Sequence, residues 1–185
     1  MKMKSNIQYC AFLRGINVGG HALIKMDELR NAFEKMGFEN VRTRLASGNV
    51  LFESGQSNKK VLVAKIEREL KQAFKKDIKV MLRSLADLRK LQLANPFRNV
   101  EATPETRLYV TFLARKAKAR AISIPLATAQ DEFRILKVTP EEVFSVLDLS
   151  KGMGTIDAMS VLEKEFSSNV TTRNWNTILK IIKQV

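Results

Sequence analysis

The residues of this chain best suited to chemistry are gathered in one loop, Arg14-Gly15-Ile16-Asn17-Val18-Gly19-Gly20-His21, directly after the apolar run of residues 9–13. Three of the eight glycines and the single histidine fall within it. Glycine gives up more backbone freedom on folding than other residues, so this run implies a tight path or close approach of a ligand to the backbone. Gly15 to Gly20 has the GxxxxG spacing of a phosphate loop, but His21-Ala22 stands where that loop requires Lys-Ser/Thr. What survives is weaker. Successive N–H groups of a glycine-rich turn form anion-holding nests, and Arg14 and Lys25 would reinforce one here.

Other polar groups extend the search. His21 is the one side chain whose ordinary pKa lies near neutrality, and Ser47 is the hydroxyl it would activate in an acid/base mechanism. Ala46-Ser47-Gly48 is not the G-x-S-x-G of a nucleophile elbow, however, and no paired carboxylates stand out. Thr171-Thr172-Arg173-Asn174-Trp175 concentrates polar groups at the expected start of the last helix. There Thr171 or Thr172 would cap the helix, Trp175 would anchor it, and Arg173 and Asn174 would remain available to an anion. Arg115, Lys116, Lys118 and Arg120 are spaced to follow a phosphate backbone, as are lysines between residues 59 and 76, although a solvated helix face accounts for most of these charges. No strand interleaves aromatic and basic residues as single-strand readers do. One histidine and one cysteine leave no ligand set for zinc, and nothing calls for a cofactor.

The elements that must position these groups follow from periodicity. Residues 7–13 read as a buried strand. Met26, Leu29, Phe33 and Met36 form one apolar stripe of a helix, with Asp27 and Glu28 at its positive end and Gly37 at its stop. Residues 41–45 and 50–52 are short strands around Ala46-Ser47-Gly48-Asn49, residues 59–76 a long helix and residues 78–82 a strand. The order β-α-β-β-α-β is that of a ferredoxin-like unit, with helices on one face of an antiparallel sheet. Ser84 is placed to cap a helix over 85–93, and Asn95-Pro96 breaks it. Further on, strands are expected at 107–113, 133–138 and 143–149, with helices near 156–166 and after Trp175. The fold class expected is therefore α+β: a ferredoxin-like half over residues 1–94, a linker at 95–106, and a smaller, less regular α+β half over 107–185 ending in a helix.

Composition narrows the partners. The 185 residues are 45% hydrophobic and 28% charged, enough for a core, and no apolar run reaches the length of about 20 residues that spans a bilayer. No secretory signal is legible, and the lone Cys10 suits a reducing cytoplasm. The formal charge is +13 and uneven: residues 1–92 hold 19 Lys+Arg against 9 Asp+Glu, and residues 93–185 hold 13 against 10. That field favours anionic partners, a phosphate-bearing small molecule or nucleic acid, although charge of this kind also serves solubility alone.

Leu13-Arg14-Gly15-Ile16-Asn17-Val18-Gly19-Gly20, Ser47-Gly48-Asn49-Val50 and Thr171-Thr172-Arg173-Asn174-Trp175-Asn176-Thr177, in that order, resemble a bacterial family known as domain of unknown function 1697. The resemblance runs from Tyr9 to Leu179, and Met26, Leu29, Gly37 and Phe38 fit its first helix. It implies a small cytoplasmic α+β domain with a ferredoxin-like first half, and it supplies no catalytic residues. Residues 151–158 depart from the Gly and Ser-Lys-Leu-like stretch common in related chains. The expectation that follows from the residues is an anionic-ligand site lined by Arg14, Gly15, Asn17, Gly19, Gly20, Ser47, Asn49, Thr172, Arg173 and Asn174. An enzyme using His21 beside Ser47 and a non-catalytic interaction module are the alternatives.

Overall fold

The computed structural model describes residues 6–17, 23–44, 47–114, 126–128, 130–166 and 169–183. The chain divides into two compact units, Met1–Arg89 and Lys90–Val185. The first holds β1 (Ile7–Leu13), α1 (Met26–Lys35), β2 (Glu39–Arg44), β3 (Asn49–Ser54), α2 (Lys59–Phe74) and β4 (Val80–Ser84). Helix α3 (Leu85–Ala94) follows β4 without a gap and spans the division. The sheet order is β2-β3-β1-β4 and every pairing is antiparallel, the ferredoxin-like arrangement that the periodicity implies.

Local chemistry explains these elements. Strand residues Tyr9, Ala11 and Leu13 alternate onto the face covered by Leu29 and Phe33 of α1 and Leu62, Ile66 and Leu70 of α2. Each such buried Leu or Phe contributes about 1.5–3 kcal/mol. Tyr9, Phe33, Phe38 and Phe52 form an aromatic cluster with centroids 4.4–5.9 Å apart. Asn58 caps α2 by accepting from the Lys60 and Val61 amides. Lys75, left-handed at φ 55°, closes that helix two residues earlier than its lysine-rich tail suggests. Ser84 caps α3: its Oγ accepts from the Asp87 amide at 3.1 Å, while Asp87 Oδ2 accepts from the Ser84 amide at 3.3 Å. Burial works to raise the Asp87 carboxyl, but hydrogen bonds from Lys59 and Ser84 outweigh it and leave the group below its ordinary pKa.

The second unit contains β5 (Thr106–Leu113), the short β6 (Leu126–Ala127), β7 (Phe133–Val138), β8 (Glu142–Asp148), α4 (Thr155–Phe166), β9 (Val170–Asn174) and α5 (Trp175–Ile182). Its sheet order is β6-β7-β8-β5-β9, again antiparallel throughout. Without β6, that order repeats β2-β3-β1-β4 element for element. The correspondence extends to single bonds. Tyr9 pairs with Ser84 and Leu13 with Val80, just as Tyr109 pairs with Asn174 and Leu113 with Val170. The Leu13 and Leu113 amides donate to Gly48 O and Glu141 O, both at 2.9 Å, and the Arg14 and Ala114 amides to Lys79 O and Asn169 O. Arg83 and Arg173 each donate from Nη1 to the carbonyl of the residue before. One scaffold is thus used twice. The shared Tyr-x-x-Phe-Leu of β1 and β5 and Val-x-x-Arg of β4 and β9 are its sequence trace.

The last polar cluster requires a correction. Thr171 and Thr172 do not cap a helix, because residues 170–174 are extended and pair with β5. Their β-branched side chains suit a strand, and Thr172 Oγ1 lies 2.8 Å from Thr111 Oγ1. The cap is Asn174, whose Oδ1 accepts from the Asn176 amide at 2.9 Å. In the second core, fully buried Ser145 Oγ has no hydrogen-bond partner among the described residues. Because an unsatisfied buried hydroxyl costs about 1–3 kcal/mol, Ser145→Ala is expected to raise the thermal midpoint by about 2–4 °C. A lowered midpoint in a calorimetric scan would contradict this.

Candidate functional site

The first two sequence motifs meet at one end of the first sheet. Strand β1 ends at Leu13, and Arg14-Gly15-Ile16-Asn17 then turns with φ of 65° at Gly15 and 60° at Asn17. Ile16 is buried and anchors the turn. Asn17 closes it: Nδ2 donates to Ile24 O at 3.0 Å, and the Ile24 amide donates to Oδ1 at 2.7 Å. The β2–β3 turn packs on this loop through Gly48, which has φ 75°. A Cβ there would stand 2.4 Å from Ile16 Cδ1, 2.6 Å from Ile16 Cγ1 and 3.1 Å from Leu13 Cβ. Glycine is therefore required at Gly48 by both backbone and neighbours.

Asn49 locks the same turn from inside. Its fully buried amide donates to Arg44 O at 2.8 Å and Ser47 Oγ at 3.1 Å. Asn17 and Asn49, both expected to touch ligand, thus direct these bonds to shaping the turns, while Ser47 is exposed at the tip. Sequence reasoning missed Arg44, at the end of β2. Its Nε is buried with no acceptor among the described residues. Arg44 pairs with Asn49 and Asn49 with Phe12, so Arg44 stands two strand spacings, about 10 Å, from Phe12, with Arg14 two residues farther along β1. The signal that could have found it is position: an arginine near a strand end, three residues before the Ser-Gly-Asn turn.

The sheet is polarised along its strands. Arg14, Arg44 and Lys79 collect at the end just described, where Lys79 Nζ is 3.5 Å from Asp77 and 3.7 Å from Glu67. The opposite end is acidic. There Asn6 donates to Glu39, and Gln8 and Asn40 donate to Glu53, which hydrogen bonds from Gln8 and then Asn40 hold below its ordinary pKa.

The duplicated scaffold provides an internal control. The register that aligns the units sets Ala114 against Arg14, Thr139 against Arg44, Glu141 against Gly48 and Glu142 against Asn49. In the second unit Thr139 Oγ1 donates to Glu142 Oε2 at 2.7 Å, so that turn satisfies itself with acidic and neutral groups. The fold is built there without either arginine.

Thr172, Arg173 and Asn174 lie in the second unit. Arg173 is buried, with Nη1 donating to Thr171 Oγ1 and Thr172 O, both at 2.8 Å. Gly19, Gly20 and His21, and the basic residues Arg115, Lys116, Lys118 and Arg120, lie outside the described residues. Cys10 is buried within β1. Among the described residues no group of three or more His, Cys, Asp or Glu side chains is placed to hold a metal ion. No helix among them is long and apolar enough to cross a membrane.

Comparison with known proteins agrees with this fold. The conserved bacterial protein SP0830 of Streptococcus pneumoniae has a similar structure, with a TM-score of 0.73 and 22% identity over 97% of this chain and 98% of that one. An unknown protein from Galdieria sulphuraria aligns over 92% of this chain and 98% of its own with 14% identity and a TM-score of 0.28. No curated protein matches the chain. The family model described as "Protein of unknown function (DUF1697)" matches residues 7–144, which include the Arg14 loop and the Ser47 turn. The chain belongs to the DUF1697 family.

Proposed function

We propose that the first unit binds a phosphate-bearing anion at the sheet end formed by Arg14, Arg44 and the Ser47–Gly48 turn. One observation carries this reading: Arg44 keeps a buried, unsatisfied Nε at a position the second unit fills with threonine. An arginine N–H without an acceptor costs about 1–3 kcal/mol, and nothing in the scaffold demands that it be there. Turning its fork toward an oxyanion relieves that cost and forms charge-assisted bonds of the kind arginine makes best with phosphate. Arg14, just past the end of β1 and two strands away, supplies the second cation. The excess positive charge of residues 1–92 raises the encounter rate with such ligands.

The test is titration calorimetry with inorganic pyrophosphate at low ionic strength. Each lost charge-assisted contact is worth about 1.5–3 kcal/mol, so Arg14→Ala and Arg44→Ala should each weaken binding roughly ten- to hundredfold. The double variant should unfold no earlier than wild type, because Arg44→Ala removes an unsatisfied buried N–H and the second unit is built with Ala114 and Thr139 at the corresponding positions. Undiminished affinity in that double variant would dismiss the site.

A further inference from the structure

We propose that the outward face of α2 is a track for the phosphate backbone of double-stranded nucleic acid, distinct in its residues from the anion site at the sheet end. The helix buries Leu62, Ile66 and Leu70 against the sheet, so its opposite face meets solvent. Along that face and its C-cap stand four exposed cations, Lys60, Arg68, Lys71 and Lys75, and none of the exposed residues of the helix is acidic. At 3.6 residues per turn, Lys60, Lys71 and Lys75 fall within about 60° of one another and extend over about 22 Å of helix axis. Arg68 is paired with Glu69 at 2.8 Å. The three lysines have no carboxylate partner among the described residues.

The second unit shows that the scaffold does not require this charge. Helix α4 joins β8 to β9 as α2 joins β3 to β4, and its Ala158 and Leu162 are buried one turn apart, as Leu62 and Ile66 are. The exposed charges of α4 are Asp157, Glu163 and Glu165 against a single Lys164. One place in the scaffold is thus basic in the first unit and acidic in the second. Helix stability does not account for the difference. Cations near a C-terminus suit the helix dipole, which covers Lys71 and Lys75, but Lys60 sits in the first turn, where a cation is disfavoured. Helices α1, α3 and α4 each carry an acidic residue in that turn, and α2 has none.

The chemistry of the face selects its partner. A single strand is held by rings on which bases stack, and every Phe, Tyr and Trp of the chain is buried or half-buried. A lipid surface takes up a helix by its apolar face, but the apolar face of α2 is committed to the core, and Val61 is its one large hydrophobic side chain left exposed. A folded acidic protein would need aromatic and apolar anchors at the centre of the interface, which this face lacks. A duplex needs none of these. Its backbone presents one charge about every 1.7 Å of axis, and lysine and arginine hold it without reading its sequence. The 19 Lys+Arg against 9 Asp+Glu of residues 1–92 supply the field that draws it in.

The test is fluorescence anisotropy of a labelled DNA duplex of about 20 base pairs titrated with the full chain. Three to four phosphate contacts give a slope of about −3 in log K against log salt, so binding should weaken roughly sixtyfold between 50 and 200 mM salt. Lys60→Glu/Lys71→Glu/Lys75→Glu should lose at least about tenfold at low salt while keeping the wild-type circular dichroism, since all three side chains are exposed. The milder Lys60→Gln/Lys71→Gln/Lys75→Gln should fall between the two. Lys137→Glu/Lys164→Glu/Lys180→Glu removes the same charge from exposed positions of the second unit and should lose less than about threefold. Arg14→Ala/Arg44→Ala should leave duplex binding nearly unchanged, so this track and the anion site stand or fall separately. Equal losses in the two Glu triple variants would reduce the effect to overall charge and overturn the track. So would the lack of duplex binding at low salt, or binding to phosphatidylserine vesicles in its place that depends on the α2 lysines.

Discussion

Replacing Gly48 by alanine is expected to destabilise the first unit by about 2–5 kcal/mol, at least about twice the effect of the same change at Gly15. Both glycines have left-handed backbone, with φ of 75° and 65°, and alanine in that region costs about 1–2 kcal/mol. Only Gly48 has neighbours where the methyl would go. Nothing lies within 4 Å of a Cβ at Gly15, whereas at Gly48 the Ile16 side chain is 2.4–2.6 Å away and Leu13 Cβ 3.1 Å away. Overpacking of that kind adds about 1–3 kcal/mol. Ile16 can shift its terminal methyl, but Leu13 Cβ is fixed to the strand. Urea unfolding of Gly15→Ala, Gly48→Ala, Ile16→Ala and Ile16→Ala/Gly48→Ala separates the two parts. The double variant should fall short of additivity by about 1–3 kcal/mol, because removing Ile16 removes most of the overlap and none of the backbone strain. Equal costs at Gly15 and Gly48 would show that the two turns do not pack as described.

This contact also marks what could be read from sequence. The elements of the first unit were legible because their patterns differ sharply: Met26, Leu29 and Phe33 recur at helical spacing between short, continuous apolar runs that suit buried strands. The special residues were legible one by one, since Gly15, Asn17 and Gly48 are types that tolerate positive φ. Their meeting was not legible, because it depends on β1 and β3 lying side by side in a register that brings Leu13 to Gly48. Arg44 was missed for the same reason: its place beside the Arg14 loop exists only in the sheet. The repeat was hidden more deeply. Tyr-x-x-Phe-Leu and Val-x-x-Arg are short, and the hairpin between Thr43 and Val50 is two residues longer than that between Val138 and Val143. Pattern also erred at residues 170–174, where Thr, Arg and Asn resemble a helix start but pairing with β5 sets an extended backbone. Local capping preference yields to a ladder of hydrogen bonds when the strand has β-branched residues to offer.

Trp175→Ala is expected to be the costliest single truncation in the second unit, about 3–5 kcal/mol. The indole is nearly buried and lies against two rings, with centroids 5.4 Å from Phe97 and 6.5 Å, edge-on, from Phe144; those two are 5.9 Å apart. Phe97 comes from the stretch between α3 and β5, so the tryptophan ties that stretch and the β8 strand to the start of α5. The Asn174 cap fixes the helix start that carries it, and α5 buries Ile178, Ile181 and Ile182 behind it. In the first unit the matching residue is Leu85, also buried at the first turn of α3, so an apolar anchor directly after the last strand belongs to the scaffold. Trp175→Phe keeps an aromatic face toward Phe97 and should cost less than half as much as alanine. If instead Trp175→Ala shifted the unfolding midpoint by less than about 2 °C, the side chain would not be an anchor, and the Thr171–Trp175 cluster would have to be explained by recognition rather than packing.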